Sequence, residues 1–118
     1  MLSDLIREHM TNPRNRGVMD APDGVGRVVG PLCGDKVTFY IKVKDGIISD
    51  ATFTTYGCWA VIGISSIITE RVRGQSLEHA TEIEGNHLGL GELPDDKNIC
   101  LELAISALRK AIQDSGNL

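Results

Sequence analysis

The chain has 118 residues, a mass of 12.8 kDa and a formal charge of −4. That is the size of one domain, long enough to bury roughly two thirds of its unfolded surface without disulfide staples. Hydrophobic residues make up 42% and charged residues 24%, which are globular values. No basic patch is dense enough for a nucleic-acid binder. The longest strongly apolar stretch, residues 58–68, falls short of the ~20 residues a membrane span needs. The first residues are polar and acidic, with neither the basic region nor the apolar core of a signal peptide. The expectation is a single domain over residues 1–118, in the cytoplasm, with neither nucleic acid nor membrane as a partner.

In chain order, residues 3–11 read as a short helix. Ser3 caps it, and Leu2, Leu5, Ile6 and Met10 recur at helical spacing. Asn12-Pro13 stops it, because a residue before proline avoids the α region. Residues 15–26 are rich in Gly, Pro and Asp and read as a loop. A first strand is expected over 25–32, interrupted by Gly30. Residues 36–44 alternate, with Val37, Phe39, Ile41 and Val43 on one face and Lys36, Thr38, Tyr40, Lys42 and Lys44 on the other. Asp45-Gly46 is a hairpin turn signal, and 47–56 returns as a third strand.

After Gly57 the period changes to that of a buried helix over 58–73, with Gly74 as its stop; its β-branched content keeps strand as a competitor. Ser76 caps a short helix carrying Leu77, Ala80 and Ile83, and Asn86 opens a further turn. Asp95 or Asp96 is expected to cap a last helix reaching Asp114, with Leu101, Ala104, Ile105, Leu108 and Ile112 as its apolar stripe. All five aromatics lie within 39–59, so the rest of the core is aliphatic; Trp59 reads as core, or as a shield that keeps water from the thiols near it. The fold class is α+β: a three-stranded antiparallel sheet packed against four to five helices.

Three cysteines without a secretion signal argue against a disulfide framework. Cys33-Gly34-Asp35 sits between the first two strands and puts a thiol beside a carboxylate. Cys58 opens the second long helix and Cys100 lies in the first turns of the last. A helix N-terminus favours negative charge, and the thiolate is the form that binds metal and attacks sulfur. The spacings are long, 24 residues and then 41. Neither the C-x2–4-C pairs of small zinc modules nor a redox C-x-x-C is present. On spacing alone, metal ligation and inert buried thiols stand level.

Four pieces of sequence, taken together, carry a resemblance. They are His9-x-x-Asn12-Pro13-Arg14-Asn15-x-Gly17; Gly30-x-x-Cys33-Gly34-Asp35; Asp50-Ala51-x-Phe53-x-Thr55-Tyr56-Gly57-Cys58; and Leu93-Pro94 with Lys97 and Cys100. In this order, from about residue 9 to the last helix, they resemble the IscU/NifU N-terminal family of iron–sulfur cluster assembly scaffolds. The resemblance implies that Cys33, Cys58 and Cys100 hold a nascent [2Fe–2S] cluster, with Asp35 as a fourth, weaker ligand or a neighbour of the ligands. It implies iron as the metal and sulfur supplied by a cysteine desulfurase, with zinc as a second occupant of the apo form; Cys100 is the expected sulfur acceptor because it lies at a helix start beside the segment 89–96. Onward transfer to apo-proteins is part of the same expectation, as is a scaffold rather than a catalyst; a homodimer is compatible with it. Converging thiolates suit iron–sulfur clusters and zinc alike.

Three departures qualify the match. The histidine common before the third cysteine is Ile99 here. The family's Leu-Pro-Pro-Val-Lys chaperone-recognition segment reads Leu93-Pro94-Asp95-Asp96-Lys97. No insertion of the kind found in zinc-dependent relatives separates Cys58 from Cys100. The alternative function is a zinc-binding, persulfide-accepting sulfurtransferase-like protein; an interaction module with incidental thiols is a further one. His79 and His87 read as surface residues, the Lys36/Lys42/Lys44 row as a solvated strand face, and His9 with 12–17 as either a helix stop or a partner contact.

Overall fold

The computed structural model describes residues 2–30 and 34–116. Helix α1 (Asp4–Thr11) leads into strands β1 (Gly24–Val29), β2 (Lys36–Lys44) and β3 (Ile47–Tyr56). Helices α2 (Trp59–Val72) and α3 (Leu77–Thr81) follow, then two 3-10 turns (Gly85–His87 and Asp95–Lys97) and α4 (Asn98–Asp114). The sheet is antiparallel in the order β1-β2-β3. The α+β reading is therefore correct.

Alternation in β2 does what its sequence implies. Val37, Phe39 and Ile41 are fully buried and meet Ile48, Ala51 and Phe53 of β3 in one core, with the Phe39 and Phe53 rings 6.2 Å apart. Lys36 and Lys44 are exposed and Lys42 half-buried on the opposite face. Asp45 and Gly46 both have positive φ, as the tight hairpin of a twisted pair requires. A bulge between Lys42 and Val43 shifts the register at that end.

The helices cover one face of the sheet. α2 is apolar around nearly its whole circumference because α1, α4 and β3 all pack on it. α4 lies across β1 and β2 through Leu103, Ala104, Ala107, Leu108 and Ala111. β1 offers glycine at the two closest crossings: a Cβ on Gly24 would fall on the Ala111 carbonyl and one on Gly26 on that of Ala107. Bare backbone on β1 lets the helix come down onto the strand.

Several expectations are corrected. β1 starts at Gly24 and ends at Val29; Gly30 follows it and donates its N–H to the Asp35 carbonyl oxygen at 2.6 Å. Residue 32 lies outside the described residues. Neither Asp95 nor Asp96 caps α4. Pro94 opens a 3-10 turn that contains both, closed by Lys97 N–H to Pro94 O at 2.8 Å, and α4 starts after Lys97 with no side-chain cap. Trp59 is not core: it is 37% exposed in the first turn of α2. The Ser3 and Ser76 caps are as read, accepting from the N–H groups of Ile6 and His79 at 3.3 and 3.1 Å.

Residues 12–17 are a structural strap. Asn15 O accepts from Phe53 N–H at 3.0 Å, and Gly17 N–H donates to Phe53 O at 2.8 Å, so the segment pairs along the free edge of β3. The Asn15 amide donates to Thr69 Oγ1 of α2 at 3.0 Å. His9 is 2% exposed and locked between α1 and α2. Its Nδ1 lies 2.6 Å from Ser66 Oγ and its Nε2 3.2 Å from Glu70 Oε1. These bonds account for the first sequence motif by packing.

Candidate metal centre

Three elements deliver the donor atoms. Asp35 immediately precedes β2, Cys58 is the N-cap of α2, and Cys100 is the third residue of α4. Separated by up to 65 positions in sequence, their ligand atoms all lie within 4.8 Å of one another. Cys58 Sγ is 3.4 Å from Cys100 Sγ, and Cys100 Sγ is 3.9 Å from Asp35 Oδ2. This is the only group of three or more such donors among the described residues. Cys33 lies outside the described residues; its neighbours Gly34 and Asp35 are described. Asp35 is buried, Cys100 is 2% exposed and Cys58 is half-buried, so the site is reached from the Cys58 side.

The helix-start argument for a thiolate fails at Cys100. Burial pushes its thiol up to about 12, helped by the hydrogen bond to Cys58 and then by the negative charges of Cys58 and Asp35; Lys97 alone works the other way. A helix terminus contributes about 0.3–1 kcal/mol at an exposed position, less than removal from water costs an anion at this depth. Without metal, Cys100 is a thiol at neutral pH. A bound cation reverses that balance, since it supplies the positive charge that the two sulfurs and the carboxylate lack.

Lys97 and Trp59 frame the opening. The Lys97 ammonium stands 5.6 Å from the centre of the Trp59 ring and 3.9 Å from Asp96 Oδ2. The contact ties the residue before α4 to the first residue of α2 by a cation–π attraction. Sequence reading missed this pairing, although Trp59 adjoins Cys58 and Lys97 lies three positions before Cys100. It named Gly57 but not its role: the lack of a side chain there makes room for the Asp35 carboxylate. His79 and His87 are exposed and stand outside the donor group, as expected of surface residues.

Two soft thiols and one harder carboxylate suit a thiophilic transition metal such as iron or zinc. The class defined here is a three-stranded antiparallel sheet with helices on one face, whose start of β2 and starts of two helices gather a thiol–carboxylate group that could hold such a metal. Over residues 1–116 the chain matches the model of the NifU-like N terminal domain, and it belongs to that family. It is 47% identical over 116 residues to iron–sulfur cluster assembly scaffold protein IscU 1 of Archaeoglobus fulgidus, covering 97% of this chain and 76% of that protein. With the IscU scaffold protein of Haemophilus influenzae the identity is 46% over 117 residues, covering 95% and 93%. The fold is similar to that of the crystal structure of a NifU-like N-terminal protein from Brucella abortus. There the TM-score is 0.74 at 23% identity, and 97% and 93% of the two chains are covered.

Proposed function

We propose that this chain is a scaffold on which an iron–sulfur cluster is assembled and from which it is passed to apo-proteins. The carrying observation is the convergence of Asp35, Cys58 and Cys100 in a family member whose relatives bear the scaffold name. In this reading residues 1–118 act as one scaffold domain in the cytoplasm. Cys33, Cys58 and Cys100 bind a [2Fe–2S] cluster, with Asp35 as the exchangeable fourth ligand. Iron and sulfide are cargo, zinc occupies the apo form, and the chain itself is not a catalyst. The protein's own contribution is to hold the donors together and exclude water from Cys100.

Sulfur comes from a cysteine desulfurase and is accepted at Cys100. At 2% exposure that sulfur is covered, so its acceptance includes an opening step that uncovers the first turn of α4. Persulfide mapping by mass spectrometry, after incubation with desulfurase and cysteine, finds the added sulfur on Cys100; sulfur only on Cys33 or Cys58 rejects that assignment.

Anaerobic reconstitution with iron and sulfide tests the main reading. The expected product is brown, with two irons and two sulfides per cluster. One tightly held zinc with no visible absorption after reconstitution would instead support the sulfurtransferase-like alternative, which the names of these relatives do not favour. Loss of nothing measurable when all three cysteines become serine would leave only an interaction module.

A further inference from the structure

α2 is 14 residues long, so its two ends are about 20 Å apart. The thiol cluster occupies the N-terminal end. At the other end, α2 and the α3 region border a separate, open-sided cavity of about 370 Å³. Arg71 and Glu82 both line it, and neither side chain is in an ion pair or a hydrogen bond with any described residue. Opposite charges thus share one cavity without touching each other. Glu84 N–H donates to His87 Nδ1 at 2.9 Å, so the neutral ring of His87, which lines the cavity, carries its proton on Nε2. Val72, Ala80 and Ile83 supply apolar surface beside these groups.

The volume is within the range of a small-molecule site, and its three apolar residues share the lining with the polar or charged Arg71, Gln75, His79, Glu82 and His87. Its charges define the ligand. Arg71 and Glu82 sum to zero, so a dianion such as phosphate would leave one charge uncompensated. A carboxylate alone would leave Glu82 unpaired, and an amine alone would leave Arg71 unpaired. A molecule with a carboxylate and an ammonium on one carbon meets both. Its carboxylate takes the planar Arg71 guanidinium and the His87 Nε2–H, its ammonium takes Glu82, and a short aliphatic side chain lies on Val72, Ala80 and Ile83. We propose that this cavity is a binding site for a free α-amino acid with a small aliphatic side chain. The proposal is independent of what the thiol cluster binds.

Titrating the full chain with L-leucine, followed by amide chemical shifts, tests it. The expected result is saturable shifts at Arg71, Gln75, His79 and His87, with Cys58 and Cys100 unmoved. On the unaltered protein, 4-methylpentanoate (leucine without its ammonium) and 3-methylbutylamine (leucine without its carboxylate) should each bind at least about tenfold more weakly, since each loses one charge-assisted contact. Arg71→Gln and Glu82→Gln should each weaken leucine binding by a similar factor. Shifts that grow linearly without saturating overturn the proposal, as does equal binding of leucine and either one-charge analogue.

Discussion

The Asp35 carboxylate lies in the space that a Cβ on Gly57 would fill. Gly57 has a φ of +144°, a conformation that side-chain-bearing residues rarely adopt, and it directly precedes Cys58. Thiol and carboxylate therefore meet because position 57 carries no side chain. Gly57→Ala should push Asp35 away from the sulfurs and strain the backbone, at a cost of about 1–3 kcal/mol in stability. Zinc affinity, measured by chelator competition, should fall about 10- to 100-fold, the range typical of disturbed ligand positioning. Unchanged affinity in a folded variant would show that Asp35 contributes nothing to the metal.

Asp35 acts on Cys100 in two opposed ways. Its charge helps to hold the Cys100 thiol protonated, and in the proposed scaffold its oxygen is a ligand to the metal. In the apo-protein, Asp35→Asn should move the appearance of ultraviolet thiolate absorbance at Cys100 to lower pH, because one negative neighbour is gone. In the reconstituted protein, Asp35→Ala should shorten the lifetime of the visible absorption, because a ligand is gone. For the unaltered protein, apparent zinc affinity should rise with pH by about tenfold per unit for each proton displaced, and Cys100 must release one across the whole neutral range. Slower cluster decay in Asp35→Ala would make Asp35 a neighbour that promotes exchange and not a ligand.

What sequence reading could reach was what local chemistry decides. The Lys36–Lys44 alternation, the Asp45-Gly46 turn and the Ser3 and Ser76 caps each depend on residues a few positions apart, and each is present. The Asp95/Asp96 cap failed because Pro94 opens a 3-10 turn ahead of the helix, a choice composition does not reveal. The core reading of Trp59 failed because the size of an aromatic says nothing about how far other elements cover the first turn of α2, where its ring meets Lys97. The thiolate expectation at Cys100 failed because burial outweighs a helix terminus, and burial is a tertiary property. That Cys58 and Cys100 meet was legible only through resemblance; nothing in a spacing of 41 residues specifies a 3.4 Å approach.

The contact of β1 with α4 makes a stability prediction away from the site. At Gly26 an added methyl would collide with the Ala107 carbonyl and approach Lys110 Cβ at 2.9 Å. Backbone on both sides leaves little to rotate aside, so α4 must lift from the sheet. Gly26→Ala should lose about 1–3 kcal/mol in urea unfolding. At Gly30 the nearest atom to a new Cβ is Leu103 Cδ1 at 3.1 Å, the far end of a flexible side chain. Gly30→Ala should cost less than about 1 kcal/mol. Equal losses at the two positions would mean that the helix is not held as tightly against β1 as the close crossing implies.

His9 makes stability depend on pH, and the sign follows from its partners. Ser66 Oγ accepts the Arg14 N–H at 2.8 Å, which leaves the hydroxyl proton for His9 Nδ1 at 2.6 Å. Nε2–H then donates to Glu70 at 3.2 Å, so the neutral ring satisfies every bond. Burial lowers the His9 pKa below the ordinary 6.5, and Arg14 lowers it further, against the opposing pull of Glu70 and Glu8. The unfolded chain therefore binds a proton more readily than the folded one. Its contribution to stability is complete above pH 6.5 and is lost as pH falls through 6.5 towards the lower folded value. Urea unfolding on either side of that pH should give a smaller free energy on the acid side, and His9→Gln, which cannot take up the proton, should flatten that part of the profile. Ser66→Ala should cost about 1–3 kcal/mol at neutral pH by leaving the Arg14 N–H and His9 Nδ1 without their partner. An unchanged acid slope in His9→Gln would assign the pH dependence to other groups and leave His9 as a packing residue between α1 and α2.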